Sequence, residues 1–161
     1  ADVLVQNLKP GALAKLGFPA DVLRARHPRL IQCSISGYGE TGPLASRKAY
    51  DLLIQAESGL ASITGGPQEP ARVGVSVVDI ATGATAHAAI LEALIQRGRT
   101  GEGADISVSM FDVMADWLTV PLLHEEGGRR DGADSDEVQG GCGAGELGPA
   151  FFWRARRITS D

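Results

Sequence analysis

Cysteine is scarce in this chain of 161 residues: there are two, Cys33 and Cys142. Two cysteines make no disulfide framework and show none of the spacing of a metal site, so no metal is expected. Cys33 lies in an apolar run and reads as a reduced core residue, which fits a cytoplasmic protein. A basic excess is also missing. The formal net charge is −5, which excludes a general nucleic-acid binder with a basic face. Phosphate-binding fingerprints are absent too. The glycine-rich stretch Gly37-Tyr-Gly-Glu-Thr-Gly-Pro43 lacks the Gly-Lys-Ser/Thr ending and does not match the dinucleotide pattern. No signal peptide is evident, and no stretch is expected to reach the length of a membrane span.

What remains is globular. Hydrophobic residues make up 43% and charged residues 22%, a balance that suits one packed domain of ordinary size. The chain opens in Ala1-Asp-Val-Leu-Val without a Met. That reads as a strand already in progress, so a piece of a longer protein is expected.

Residues 2–6 predict a short buried strand. Pro10 and Gly17 bracket a short helix, and a second helix opens at Pro19 and ends near His27. Arg29 to Ser36 predicts the clearest strand. Strand, helices, strand is the order of a parallel α/β sheet. The Gly37–Pro43 loop closes that strand, at the end where ligands gather in such sheets. Lys48-Ala-Tyr-Asp51 opens a helix whose body is Leu52 to Ala56. Residues 59–70 predict a small, flexible loop region. Ala104 to Met110 alternates with period two, as a half-buried strand does. Phe111 to Leu123 predicts a helix on which Asp112 and Asp116 share a face. From Gly127 the character changes. Residues 127–149 hold eight glycines, so 127–161 is expected to be an irregular tail. The cluster Phe151 to Arg157 within it is weak evidence of an anionic partner.

The stretch Arg72-Val-Gly-Val-Ser-Val-Val-Asp-Ile-Ala-Thr-Gly83 carries one carboxylate, Asp79, in an apolar, glycine-flanked run. The valines predict a buried extended segment, followed by a helix from Ala84 to Arg97. Asp79 then stands where extended chain becomes helix. It reads either as an N-cap or as a reactive carboxylate held at a helix N-terminus. His87 and His124 have no evident partner and read as packing or surface residues.

Taken in order, Asn7-Leu-Lys-Pro-Gly, Ser34-Ile-Ser-Gly-Tyr-Gly-Glu-Thr-Gly-Pro43, Tyr50-Asp-Leu-Leu-Ile-Gln-Ala56, Val78-Asp-Ile-Ala-Thr-Gly83 and Arg99-Thr-Gly-Glu-Gly103 form a specific set. Over about residues 1–125 the chain resembles the family III CoA-transferases. This CaiB/BaiF group contains formyl-CoA transferase, carnitine CoA-transferase and the α-methylacyl-CoA racemases. The resemblance implies an α/β, Rossmann-like parallel sheet with flanking helices, part of a fold in which two chains interlock as a homodimer. Residues 1–126 are expected to be a large-domain fragment.

The resemblance also implies roles. Asp79 falls at the nucleophilic aspartate. Lys48, Ala49, Tyr50 and Asp51 match a segment that contacts CoA and the acyl group, and Asn7, Leu8 and Lys9 match a CoA-contacting turn. Lys15 falls where the family has an arginine that meets CoA, so the charge is kept but the planar fork is lost. The implied reaction moves coenzyme A between an acyl-CoA and a carboxylic acid through an aspartyl mixed anhydride. Acyl-CoA is a substrate there, and no permanently bound cofactor is expected. The valine run is expected to keep Asp79 poorly solvated, with backbone N–H groups near Gly83 or from the glycine loops meeting the oxyanion. In the racemases a histidine stands at the place of Tyr50, so Tyr50 favours transfer. A racemase and a non-catalytic CoA-binding remnant are the alternatives. The isolated piece is expected to be inactive.

Overall fold

A computed structural model describes residues 1–65, 69–130 and 156–159. Three parallel strands carry the fold: β1 (Val3–Gln6), β2 (Ile31–Ser36) and β3 (Ala104–Ser109). A fourth, β4 (Arg156–Thr159), pairs antiparallel with β3, and the order across the sheet is β1-β2-β3-β4. Parallel neighbours need long crossovers. Here α1 (Ala12–Lys15) and α2 (Ala20–Arg26) link β1 to β2, while α3 (Asp51–Glu57), α4 (Leu60–Thr64) and α5 (Val77–Thr100) link β2 to β3. Helices α6 (Met110–Trp117) and α7 (Thr119–Arg130) follow β3. The α/β parallel architecture is therefore the expected one.

The core lies between the sheet and α5. Ile31 and Cys33 of β2 and Ile106 and Val108 of β3 pack with Val78, Ala81, Ala86, Ala89 and Ala93 of α5. Alanine dominates that helix face because small side chains let a helix lie close on a sheet. Burial pushes the Cys33 thiol up to about 11, so it behaves as an inert apolar group. At the other end of the crossover, Arg97 donates to the Asp2 carboxylate at 3.1 Å and to the Arg29 carbonyl at 3.0 Å. One guanidinium thus fastens the starts of β1 and β2 to the last turn of α5.

Several expectations change. The valine run is not an extended buried strand. Residues 71–76 form irregular chain, Val75 is 59% exposed, and α5 begins at Val77. The buried Gln55 side chain of α3 takes the Val73 N–H and the Val75 carbonyl of that segment. Helix α5 also runs past its expected end at Arg97, on to Thr100. Its 24 residues, with an 18-residue window of mean hydropathy 1.3, are long and apolar enough to cross a membrane by length and composition. That overturns the expectation that no stretch reaches span length. In this fold the apolar face of α5 lies on the sheet. The supposed loop after Gly59 holds the short helix α4. The single helix expected at 111–123 is two, parted at Leu118. Residue 127 is no element boundary, since α7 continues to Arg130 and 156–159 form a strand. The remainder of the expected tail, with Cys142 and the Phe151–Ala155 part of the cluster, lies outside the described residues.

The carboxyl end of β2 is tied down from three sides. The Ser109 hydroxyl caps α6, accepting from the Asp112 N–H at 3.3 Å, and donates to the Gly37 carbonyl at 3.4 Å. The Phe111 N–H donates to the same carbonyl at 3.0 Å. Gly37 itself touches Ala49 so closely that a Cβ added to it would overlap the Ala49 Cβ. This contact lays the 45–50 segment across the strand end. Gly37→Ala is expected to cost ~1–3 kcal/mol in urea unfolding, as overpacking does. Adding Ala49→Gly is expected to recover part of that loss, where two independent lesions would simply add.

Candidate active site

Beyond Gln6 the first strand ends, while β2 runs two residues further, to Ser36. A cleft of about 790 Å³ opens there, at the carboxyl ends of the strands. Asn7, Leu8, Lys9 and Pro10 form one wall. The Gln6 side chain shapes that turn: its amide nitrogen donates to the Ser34 hydroxyl at 2.9 Å and its oxygen accepts from the Leu8 N–H at 2.8 Å. Ile35, Ser36, Gly37 and Met110 make the floor, and residues 45–51 make the second wall. Asp79, Thr82 and Gly83, on the first two turns of α5, face the cleft from above.

Eight of the nine expected site residues meet in this cleft: Asn7, Leu8, Lys9, Lys48, Ala49, Tyr50, Asp51 and Asp79. Lys15 does not line it, and stands exposed at the end of α1. His87 and His124 are exposed and do not line it either, nor do Asp112 and Asp116. Among the described residues no cluster of His, Cys, Asp or Glu gathers as a metal site would.

The 45–50 wall is braced by a polar cluster. The Tyr38 hydroxyl donates to Glu57 at 2.6 Å, Arg47 pairs with Glu57, and the Arg47 guanidinium lies 5.6 Å from the Tyr38 ring centre. Burial, then the Glu57 carboxylate, raises the Tyr38 phenol above its usual range, with Arg47 opposing. Lys48 lines the cleft with Lys9. Their two charges suit a polyanionic ligand.

Asp79 is neither the N-cap nor a buried group. Ser76 is the N-cap of α5 and makes no side-chain cap bond. Asp79 is the third residue of the helix and is exposed at the cleft wall. The cap comes from another helix. Asp51 Oδ2 accepts from the Val78 N–H at 2.8 Å and from the Asp79 N–H at 3.3 Å. Asp51 Oδ1 is held by the amide nitrogen of Gln55 at 2.6 Å. Asp51 therefore closes the N-terminus of α5, a role sequence reading had not assigned to it. Gln55 was missed altogether, because a glutamine inside an apolar helix pattern shows its partners only once the chain is folded.

Partial desolvation at the cleft wall, and then the Asp51 charge, raise the Asp79 carboxyl from its ordinary value. Gly83 lies one helical turn beyond Asp79 on the same face. A side chain there would meet nothing within 4 Å, so glycine leaves room beside the carboxylate. The Gly83 N–H cannot meet an oxyanion as expected, because it lies inside α5, where amides bond four residues back.

The raised carboxyl has a stability consequence. A raised folded-state value favours folding below the ordinary carboxylate range, and that contribution is lost as pH rises through the folded value. Asp79→Asn is therefore expected to raise the Tm at pH 7. The gain should shrink toward nothing in melts below the carboxylate range.

Comparisons with known proteins agree with this layout. The family model for CoA-transferase family III matches residues 1–146. The chain is 46% identical over 122 residues to an acyl-CoA transferase of Fusarium pseudograminearum, covering 74% of this chain and 26% of that protein. It is 49% identical over 125 residues to an acetyl-CoA:oxalate CoA-transferase of Acetobacter aceti, covering 76% of this chain and 32% of that one. A CaiB/BaiF family protein from Brucella suis, known by crystal structure, matches with a TM-score of 0.75 at 41% identity, covering 87% of this chain and 36% of that one. The chain spans roughly a quarter to a third of the length of the curated relatives it matches. Ordered motifs, a parallel sheet with its cleft at the strand ends, and a family match over residues 1–146 agree: this chain belongs to CoA-transferase family III.

Proposed function

We propose that this chain supplies the nucleophile and part of the CoA site of an enzyme that moves coenzyme A between an acyl-CoA and a carboxylic acid. The observation that carries the reading is the position of Asp79. It is an accessible carboxylate on one wall of a cleft whose other walls carry Lys9 and Lys48. The relatives named as CoA-transferases support the reaction class.

In this reading an Asp79 oxygen adds to the thioester carbonyl carbon. The C–S bond breaks, its electron pair leaves on sulfur as the CoA thiolate, and a mixed anhydride remains. The thiolate attacks the Asp79 carbonyl of that anhydride and frees the donor acid as its carboxylate. The acceptor carboxylate then attacks the aspartyl thioester, releasing thiolate and forming a second anhydride. Attack of the thiolate on the acceptor carbonyl completes the transfer and restores Asp79. Lys9 and Lys48 hold the negative groups of CoA, and the Asn7–Pro10 turn and Ala49 bound its path. Tyr50, 65% exposed, lies at the acyl end. Lys15, outside the cleft, is left to a contact nearer the mouth.

Racemisation calls for a base partner beside the aspartate. Tyr50 lines the cleft, and neither His87 nor His124 does, which supports transfer instead. Apolar side chains stand open on α5 and α6, among them Ile80 and Trp117. They fit a protein that buries them against further segments or a second copy, as a homodimer would. Because the chain spans only part of its relatives' length, turnover is assigned to the full-length gene product and not to the chain alone.

In that product, Asp79→Ala is expected to lower CoA transfer by ~10³-fold or more while CoA still binds. Exchange of acyl groups between CoA and free carboxylates, followed by mass spectrometry, measures the first, and calorimetry the second. Retained turnover would remove Asp79 from the mechanism. Lys48→Ala is expected to weaken CoA binding, more so at low salt.

A further inference from the structure

Gln55 is fully buried inside α3, and a buried amide must find partners for both ends. Its oxygen accepts from the Val73 N–H at 2.8 Å. That bond fixes which end is which, since only the oxygen can accept. Its nitrogen therefore donates to Asp51 Oδ1 at 2.6 Å, with the Val75 carbonyl at 3.5 Å. Gln55 does not line the cleft, so it touches no substrate there. We propose that Gln55 is a positioning residue: it holds Asp51 against the first turn of α5, so that Asp51, and not Asp79, occupies the amides of Val78 and Asp79.

This inference rests on Asp79 as nucleophile. A carboxylate at the third position of a helix ordinarily gains from the free amides and dipole of that terminus. Such bonding quiets a nucleophile by stabilising its charge. Here Asp51 takes two of those amides. The Asp79 carboxylate is left facing the cleft beside a like charge. The charged residues lining that cleft are Lys9, Arg47, Lys48, Asp51 and Asp79 itself. Arg47 is engaged by Glu57. The raised Asp79 carboxyl, with desolvation first and Asp51 second, agrees with this arrangement. Gln55 also pins the backbone of residues 73–75, which sets where α5 starts and hence where Asp79 points.

The test needs no turnover in its first arm. In the full chain, the Val78 amide proton is compared by NMR with that of Asp51→Asn and of Gln55→Leu. It should move upfield in each, as the bond to the Asp51 carboxylate is lost or loosened; an unmoved proton in either folded variant overturns the proposal. In Asp51→Asn and Gln55→Leu, the Asp79 carboxyl should titrate closer to the ordinary aspartate value. An unmoved Asp79 titration in a folded variant also overturns it. In the full-length product, Gln55→Leu should lower kcat by ~10-fold or more with KM for acyl-CoA changed by less than ~3-fold, the pattern of a group that acts only through the nucleophile. A rise in KM alone overturns the positioning role. Failure of the nucleophile reading appears separately, as turnover that survives Asp79→Ala.

Discussion

Four amides at the start of a helix have no partner within it. At the start of α5 two of them find one carboxylate, supplied by Asp51 of a different helix. Asp51 is itself the first residue of α3, so it lies in the favourable field of two helix N-termini at once. This shared charge joins α3 to α5 and sets the angle at which α5 enters the fold. The other walls of the cleft are then arranged around that joint. Gln55, one turn along α3, completes it by taking the backbone of the segment that leads into α5. A network of this kind is worth having only when every member is satisfied, and each polar end of Gln55 has its partner.

The cleft owes its place to strand lengths. The first strand stops at Gln6 and the second continues to Ser36, so the chain leaving β1 peels away and opens a gap at the carboxyl edge. Parallel sheets put all their strand exits on one edge. That is why three segments distant in sequence, near residues 8, 48 and 79, reach one space. Gly37 lets the middle one approach, because any side chain there would collide with Ala49. The polar cluster of Tyr38, Arg47 and Glu57 then braces it from behind.

The electrostatics of the site divide its acidic groups by task. Asp51 and Asp79 are both carboxylates lining one cleft, yet among the described residues hydrogen bonds tie the first and not the second. Asp51 accepts three. At Asp79, desolvation first and the Asp51 charge second raise the carboxyl. Two aspartates therefore acquire different chemistry from position alone. Around them the basic side chains of Lys9 and Lys48 supply the opposite sign, in a chain whose overall charge is negative.

Much of this was legible in the residues. The strand at 31–36, the parallel order of elements and the turn at Asn7 all follow from local pattern and motif order, because periodicity and turn chemistry act over a few residues. The start of α5 was not legible. A run of valines between glycines favours extended chain, and only the grip of Gln55 and Asp51, contributed by a helix eighteen or more residues earlier, turns it into an irregular approach and a helical first turn. The exposure of Asp79, the capping role of Asp51 and the absence of Lys15 from the cleft are likewise matters of where separate elements come to lie. The chain by itself determined which chemical groups were on hand and roughly which elements would carry them. The tertiary structure decided which carboxylate is tied and which is left open, since that choice depends on contacts between helices that no local pattern encodes.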